Sequence, residues 1–446
     1  MGNFFRGEFG QYFTPRPIVQ FIVEALPIKN TSYVLDTSCG SGGFLLHALD
    51  KVRRKADQEF PDYKTDVEEH TAWKEYWHNF AENNLFGIEI NEQIARTAKM
   101  NMIIHDDGHT NVIAVDGLES ELQMQTINKG FKNNHFDYII TNPPFGSSIK
   151  ENEKHYLKSF ELGNKKADWL DYKNTKTVVR NNQSTEVLFI EQCYNFLTEG
   201  GYLAVVLPDG VLTNSSLQYV RDQIEDWYRI VAVASMPQTA FSATGAGVKS
   251  SVLFVKKHTK KHTATLQDLK ENIQNTLKTK FKYLETIAKW NTEKAKIIKD
   301  LDGFTNSTGL TSVKEIKKTQ AFKDWRTEIN SLYNEKIKDL QEQLSEAYQE
   351  EKAKQLPDYP IFMAIAENIG YDATGKSSAT IVSKNEITEG NYTKIITQLS
   401  HDLFDERITK TFDVQNEEIS AKKEILSKGI LKELSHFIKQ IEDGRI

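Results

Sequence analysis

The residues best placed to do chemistry are Asn142, Pro143, Pro144 and Phe145, which follow an apolar run from Tyr138 to Thr141. That run reads as a buried strand of a parallel sheet, and the two prolines forbid it from continuing as strand or entering a helix. The chain must turn outward at the carboxyl end of a strand, where open α/β sheets place their ligands. Pro143 has no N–H, so its carbonyl and the side-chain carbonyl of Asn142 can both face a cleft as acceptors, with the Phe145 ring beside them. Two acceptors and a stacking surface suit a planar ring that carries an exocyclic NH2. Taken alone, the tetrapeptide also fits an ordinary surface turn.

Three acids stand at the ends of the preceding strands. Tyr33 to Leu35 reads as a strand ending in Asp36, and Gly40, Ser41, Gly42 and Gly43 then lead into an apolar helix from Phe44. Glycines let the backbone turn sharply and approach a ligand. Phe44 stands where a phosphate loop carries lysine, so a nucleoside triphosphate is not expected. The strand LFGIEI ends in Glu89, placed to accept from ribose hydroxyls, and Asn91 caps the helix after it. Glu89 lies farther from the glycines than the roughly 20 residues of a dinucleotide-binding unit, which disfavours a dehydrogenase. The strand NVIAVD ends in Asp116, an acceptor suited to the adenine amino group of a cofactor. Upstream, Gln11, Tyr12 and Phe13 precede a helix that Thr14 is expected to cap, with Pro15, Arg16 and Pro17 in its first turn. A helix N-terminus favours a carboxylate, although the spacing alone suits a helix simply packed on the sheet.

Apolar periodicity supplies the elements that must position these residues. Strands at 138–141, in YLAVVLP, in RIVAVASM and in VLFVKK join the three earlier ones as seven strands alternating with helices, a doubly wound α/β domain over 1–257. Residues 146–183 are polar and aperiodic and read as a mobile loop near the substrate. The run Lys256 to His262 is basic and could touch phosphate. Leu269, Ile273, Leu277 and Leu284, then Phe322, Tyr333, Ile337, Leu340 and Leu344, recur at helical spacing on either side of a turn at Gly303 to Gly309. They predict a helical hairpin or arm over 258–357, and 358–446 reads as a C-terminal helical region.

The chain has 446 residues, 39% hydrophobic, with a net charge of −6. The negative balance argues against strong unaided grip on nucleic acid. Its 2 cysteines and 11 histidines show no ligand spacing, so no metal is expected. No stretch is long and apolar enough to span a membrane, and a cytoplasmic protein is expected.

An Asn-Pro-Pro-Phe turn resembles the catalytic loop of amino-methyltransferases that use S-adenosylmethionine (SAM). Taken in order, GQYFTPRP, DTSCGSGGFL, GIEIN, VDGL, TNPPFG and GGYLAVVLPDGVL resemble the adenine-N6 DNA methyltransferase (M) subunits of type I restriction-modification systems, over roughly residues 5–257. The resemblance implies a seven-stranded, mostly parallel, Rossmann-like methyltransferase sheet with a long helical C-terminal extension. It implies that residues 11–16 and 41–43 line the SAM pocket with Asp36 and Gly40, that Glu89 holds the ribose and that Asp116 contacts the adenine. Asn142 and Pro143, with Pro144, would hold the target amino group while Phe145 stacks on a flipped base. The implied partners are double-stranded DNA, a specificity (S) subunit and a restriction (R) subunit, in an assembly with two M subunits to one S subunit. Such subunits usually carry a helical domain before the GQYFTP stretch, where this chain begins, so a fragment or shortened relative is expected. Thr37 replaces the more usual proline after Asp36. Methylation of a protein glutamine amide or of guanine in RNA shares this turn and is the rival chemistry; a non-catalytic scaffold that holds a specificity protein is the rival of another class.

Overall fold

The computed structural model describes residues 13–105, 111–150, 156–173, 176–242, 247–306, 309–371, 374, 380–388, 391–399, 401–404, 407–415, 418–427 and 429–446. The aliphatic runs form β1 (Val34–Asp36), β2 (Leu85–Glu89), β3 (Val112–Ala114) and β4 (Phe136–Thr141). Two short ladders follow, β5 (Ser148–Lys150) with β8 (Asn182–Ser184), and β6 (Asn164–Lys165) with β7 (Val178–Val179). With β9 (Leu197–Pro208), β10 (Tyr228–Ser235), β11 (Ser250–Lys257) and β12 (Phe362–Ile365) the main sheet has the order β12-β10-β11-β9-β4-β1-β2-β3.

All neighbours in this sheet are parallel except those of β11, which runs antiparallel to β9 and β10. A parallel return needs a crossover of roughly a dozen residues or more, usually through a helix. The stretch between β10 and β11 instead turns at the edge where β10 ends and re-enters from there. The eighth strand, one more than expected, is β12 on the sheet edge. The short apolar run from Ile361 to Ala366 is too brief for periodicity to separate strand from helix.

Helices cover both faces. On one lie α1 (Arg16–Ala25), α2 (Gly43–Glu59), α3 (Val67–Asn84) and α4 (Glu92–Ile104); on the other α5 (Glu121–Gln125), α6 (Thr185–Phe196), α7 (Asp209–Thr213) and α8 (Gln218–Trp227). Side chains alternate between the two cores, so Tyr202, Ala204 and Val206 of β9 pack with the first set while Leu203, Val205 and Leu207 pack with the second. Buried on both faces, β9 reads as a continuous apolar run. Because α2 follows β1 on one face and α6 follows β4 on the other, the strand order reverses between β1 and β4, and a crevice opens at their carboxyl ends.

The chain divides into two compact units. The first holds the main sheet and the C-terminal residues from Pro360. The second takes Lys261–Tyr359 together with Lys166–Thr177. Its helices come from α9 (Lys260–Lys280), α10 (Tyr283–Asp300), α11 (Val313–Ile316) and α12 (Gln320–Gln355). Lys282, left-handed at φ 50°, breaks the first helical run into α9 and α10. The C-terminal region, expected to be helical, is largely a four-stranded antiparallel sheet of β13 (Thr380–Thr388), β14 (Asn391–Leu399), β15 (Arg407–Gln415) and β16 (Glu418–Ser427), followed by α13 (Ile430–Glu442). These segments are rich in Thr, Ile and Val, which favour extended backbone.

The position of α1 depends on one lysine. A helix leaves its last carbonyls without intrahelical partners. From α2, Lys51 Nζ donates to the carbonyls of Val23, Glu24 and Leu26 at 2.9, 3.0 and 2.5 Å. These bonds fix α1, and with it the chain just before Arg16. Lys51→Met keeps the apolar stem and removes the donor, so it is expected to lower unfolding free energy by about 1–3 kcal/mol, read as a lower urea midpoint at unchanged m-value.

Candidate active site

The turn after β4 is held from two sides. Thr185, buried at the start of α6, donates from Oγ1 to the Pro144 carbonyl at 2.9 Å. Asn142 Nδ2 donates to Thr14 Oγ1 at 2.9 Å, which fixes the amide so that its oxygen faces the other way. That oxygen is buried and has no hydrogen-bond partner among the described residues. An acceptor held in this state is costly unless something that donates is meant to reach it. Phe145 is half-buried and packs against the core that includes α1 and α2.

A chain of hydroxyls joins this turn to β1. Thr141 Oγ1 donates to Asp36 Oδ1 at 2.8 Å and accepts from Thr37 Oγ1 at 3.1 Å. Ser38 Oγ donates to the Asn142 carbonyl at 3.0 Å and lies 2.9 Å from Thr141 Oγ1. The Ser38 amide donates to Asp36 Oδ1 at 3.0 Å. Asp36 is fully buried and its second oxygen has no partner among the described residues. Burial pushes its carboxyl up to about 7, opposed by the bonds from Ser38 and Thr141, and the neighbouring Glu89 adds to the rise.

Beyond Asp36 the backbone makes a tight bend, with Gly40 at φ 52° and Gly42 at φ 87°, conformations that L side chains rarely adopt. A Cβ on Gly40 or Gly43 would meet nothing within 4 Å, so the bend borders open space. Glu89 holds the bend, accepting from the Gly40 amide at 3.1 Å and from the Asn91 amide at 2.8 Å. Burial raises its pKa. Gly117 lets the end of the third strand approach, since a Cβ there would lie 2.6 Å from the Thr37 carbonyl. The neighbouring Asp116 accepts from the Leu118 amide at 3.0 Å and from Tyr156 Oη at 2.8 Å.

Asp36, Gly40, Glu89, Thr14 and Asn142 are therefore linked directly or through one neighbour, with Asp116 next to them. Gln11 and Tyr12 lie outside the described residues, and Phe13 is exposed. Thr14 is not the cap of α1: Pro15 takes that position and its carbonyl accepts from Ile18 and Val19, which leaves the Thr14 hydroxyl for Asn142. The connection 146–183, read as mobile, is anchored in its described parts by both short ladders and by the buried Glu191, which accepts from the Glu161 and Leu162 amides at 2.7 and 2.8 Å. In the basic run, Lys257 is buried and donates to Asn134 Oδ1 and the carbonyls of Tyr194 and Leu197, while Lys256 pairs with Glu442 at 2.6 Å. Both sit at the edge opposite the site, since β11 is antiparallel. An open depression lined by Asn30, Asn79, Asn83 and Asn84 also lies at that opposite edge, beside the amino ends of β1 and β2. Ser38, Thr141 and Thr185 were given no role in the sequence, and Thr37 was noted only as a departure from proline. Their one signal is hydroxyl residues directly flanking two strand ends and opening a helix.

Among the described residues no group of three or more His, Cys, Asp or Glu could hold a metal ion, and no helix is long and apolar enough to cross a membrane. The chain is similar to the type I restriction enzyme EcoKI methylase subunit of Escherichia coli (strain K12), 27% identical over 252 residues, which cover 56% of this chain and 41% of that protein. It is also similar to the type II restriction enzyme and methyltransferase RM.BcgI of Heyndrickxia coagulans, 25% identical over 269 residues, or 57% of this chain and 34% of the relative. A solved type I restriction-modification methyltransferase subunit from Streptococcus thermophilus aligns at 20% identity with a TM-score of 0.39, covering 57% of this chain and 46% of that one. The chain thus spans less than half the length of these relatives. The family model described as N-6 DNA Methylase matches residues 3–339, three quarters of the sequence, and the chain belongs to that family.

Proposed function

We propose that this chain moves a methyl group from SAM to the N6 of adenine in double-stranded DNA, as the modification subunit of a type I-like restriction-modification system. The observation that carries the reading is the buried, unpartnered Oδ1 of Asn142, fixed by Thr14 at the edge where the glycine bend opens. The rival methylations of glutamine and of RNA guanine need the same turn, but membership of the N-6 DNA methylase family favours adenine in DNA.

When bound, SAM supplies a sulfonium methyl already activated for transfer. The residues present fit it, with open space beside Gly40 and Gly43 and an unpartnered oxygen on Asp36. The site's remaining task is positioning, because the adenine amine is a poor nucleophile whose lone pair is delocalised into the ring. Asn142 Oδ1 and the Pro143 carbonyl accept the two NH2 hydrogens and hold the nitrogen out of conjugation, and one of those protons passes to solvent once the N–CH3 bond replaces the S–CH3 bond. Reaching that atom requires extruding the base, and Phe145 replaces part of its lost stacking. Ser38 couples the two halves: one hydroxyl ties the bend after β1 to the backbone of the turn after β4.

Sequence reading and DNA grip belong in this proposal to a separate specificity subunit shared by two modification subunits, with a restriction subunit joining them, in the cytoplasm. The similar EcoKI chain is named a methylase subunit of a type I restriction enzyme.

Three outcomes test this reading. Asn142→Ala is expected to lower methyl transfer from labelled SAM to unmethylated duplex DNA by about 100-fold or more while calorimetric SAM affinity is retained; near-normal turnover would refute the assignment. Ser38→Ala is expected to lower kcat by about tenfold with little change in SAM affinity. For Asp36, raised from 3.8 to about 7, the stability contributed by the neutral acid is fully present below about 4 and is lost as pH rises through about 7. Between pH 5 and pH 8 the wild type is expected to lose about 3 kcal/mol through this group, and urea unfolding of Asp36→Asn is expected to show that difference flattened.

A further inference from the structure

The connection that begins at the candidate catalytic turn is held at successive levels. At its base β5 pairs with β8 from Ser148↔Ser184 to Lys150↔Asn182, and the Thr185 amide donates to the Ser147 carbonyl at 3.0 Å. Farther out, Glu191 fixes residues 161 and 162, and Gln183 Nε2 donates to the Leu162 carbonyl at 2.6 Å. Next come β6 and β7, two residues each. Past them the chain leaves the first compact unit at Lys165, runs through the second, and returns at Val178.

Inside the second unit this excursion ends in a built socket. Asp168 Oδ1 accepts from the Leu170 amide at 2.7 Å and closes a turn that presents Leu170. The leucine, 7% exposed, is packed in a cluster with Tyr283, Ile287, Ile337, Leu340 and Leu344. Its carbonyl accepts from Tyr283 Oη and from Gln341 Nε2, the latter at 2.9 Å. The Trp169 ring lies 5.4 Å from that of Tyr348, with Lys278 Nζ 5.6 Å from its centre. A buried apolar anchor and a carbonyl with two side-chain donors make this tip a seat for the connection.

Ladders of two and three residue pairs are marginal by themselves and open locally unless something else holds their ends together. We propose that Trp169 and Leu170 are positioning residues for methyl transfer: seated in the helical unit, they keep the chain that follows the Asn142–Phe145 turn ordered when a target base arrives. The proposal rests on the reading of that turn as the site of the target amine. Whatever grips α9 to α12 also gains, through chain connectivity, a hold on this connection.

The test compares the full chain with Leu170→Asp, which unseats the tip, and Leu170→Met, which refills the socket. By hydrogen exchange, amides of residues 148–150 and 182–184 are expected to exchange at least about tenfold faster in Leu170→Asp, with β4 and β9 unchanged and Leu170→Met like the wild type. With the specificity subunit supplied, kcat/KM for unmethylated duplex DNA is expected to fall by about tenfold or more in Leu170→Asp and to recover to within about threefold in Leu170→Met, with SAM affinity kept within about twofold. Unchanged ladder protection in Leu170→Asp overturns the proposal, as does faster exchange with wild-type kcat/KM. Parallel loss of SAM binding marks general unfolding and also overturns it. Should Leu170→Asp not fold, Trp169→Ala combined with Gln341→Ala carries the same comparison. A wild-type chain that methylates no DNA even when its specificity subunit is supplied removes the reading of the turn, while the exchange result still decides whether the tip holds the connection.

Discussion

A buried carboxylate tied to hydroxyls holds the tips of two adjacent parallel strands together, and the rest of the site depends on it. The backbone pairing of β1 with β4 runs through Val34↔Tyr138 and Leu35↔Ile139. Beyond those pairs the strands diverge, α2 leaving on one face and α6 on the other, and the crevice of a doubly wound sheet opens. At this point side chains take over from the ladder. Asp36 receives Thr141, and Ser38 reaches the Asn142 carbonyl, so the glycine bend and the proline turn share one rigid foundation. Positional catalysis tolerates little slack between donor and acceptor, and a frame of bonds 2.8–3.1 Å long supplies that stiffness.

The frame has an electrostatic consequence. Asp36 and Glu89 are both buried and both carry raised pKa values, Asp36 mainly through desolvation. One hydroxyl and three backbone amides offset part of that burial. An unpartnered oxygen on Asp36 therefore stays available to a polar or positively charged ligand. Thr37 extends the frame: where a proline would donate nothing, its hydroxyl reaches Thr141. The same position thus fixes β4 more firmly than its backbone alone does.

Much of this was legible in the residues. Strand ends marked by Asp36, Glu89 and Asn142 could be read because apolar runs stop there at Gly, Asn or Pro, and those breaks are local. The hydroxyl frame was not legible, because Thr37, Ser38, Thr141 and Thr185 find their partners only when segments 41 to 104 residues apart in sequence come together. Thr14 was misread for a related reason: a hydroxyl before two prolines suits a helix cap, yet Pro15 fills that position and the long-range amide of Asn142 claims the hydroxyl. The C-terminal strands were missed because short β-branched segments interrupted by charge lack a period long enough to separate strand from helix. The connection 146–183 looked structureless since its anchors, Glu191 and the helical socket around Leu170, lie elsewhere in the chain.

Charge bears on where the proposed DNA substrate would be held. The acids at the carboxyl ends of β1, β2 and β3 suit a sulfonium nucleoside, but the same charges repel phosphate near the crevice. The two strand-end lysines do not answer this, since Lys257 is buried on three oxygen acceptors and Lys256 is paired with Glu442, both at the far edge of the sheet. A net charge of −6, with these two lysines so engaged, does not favour counterion release at the sheet. Under the proposed function, affinity for duplex comes from outside the sheet, and specificity with it. What the sheet retains is the part of the task that needs stiffness: one amide oxygen, one ring and one glycine bend held in fixed relation.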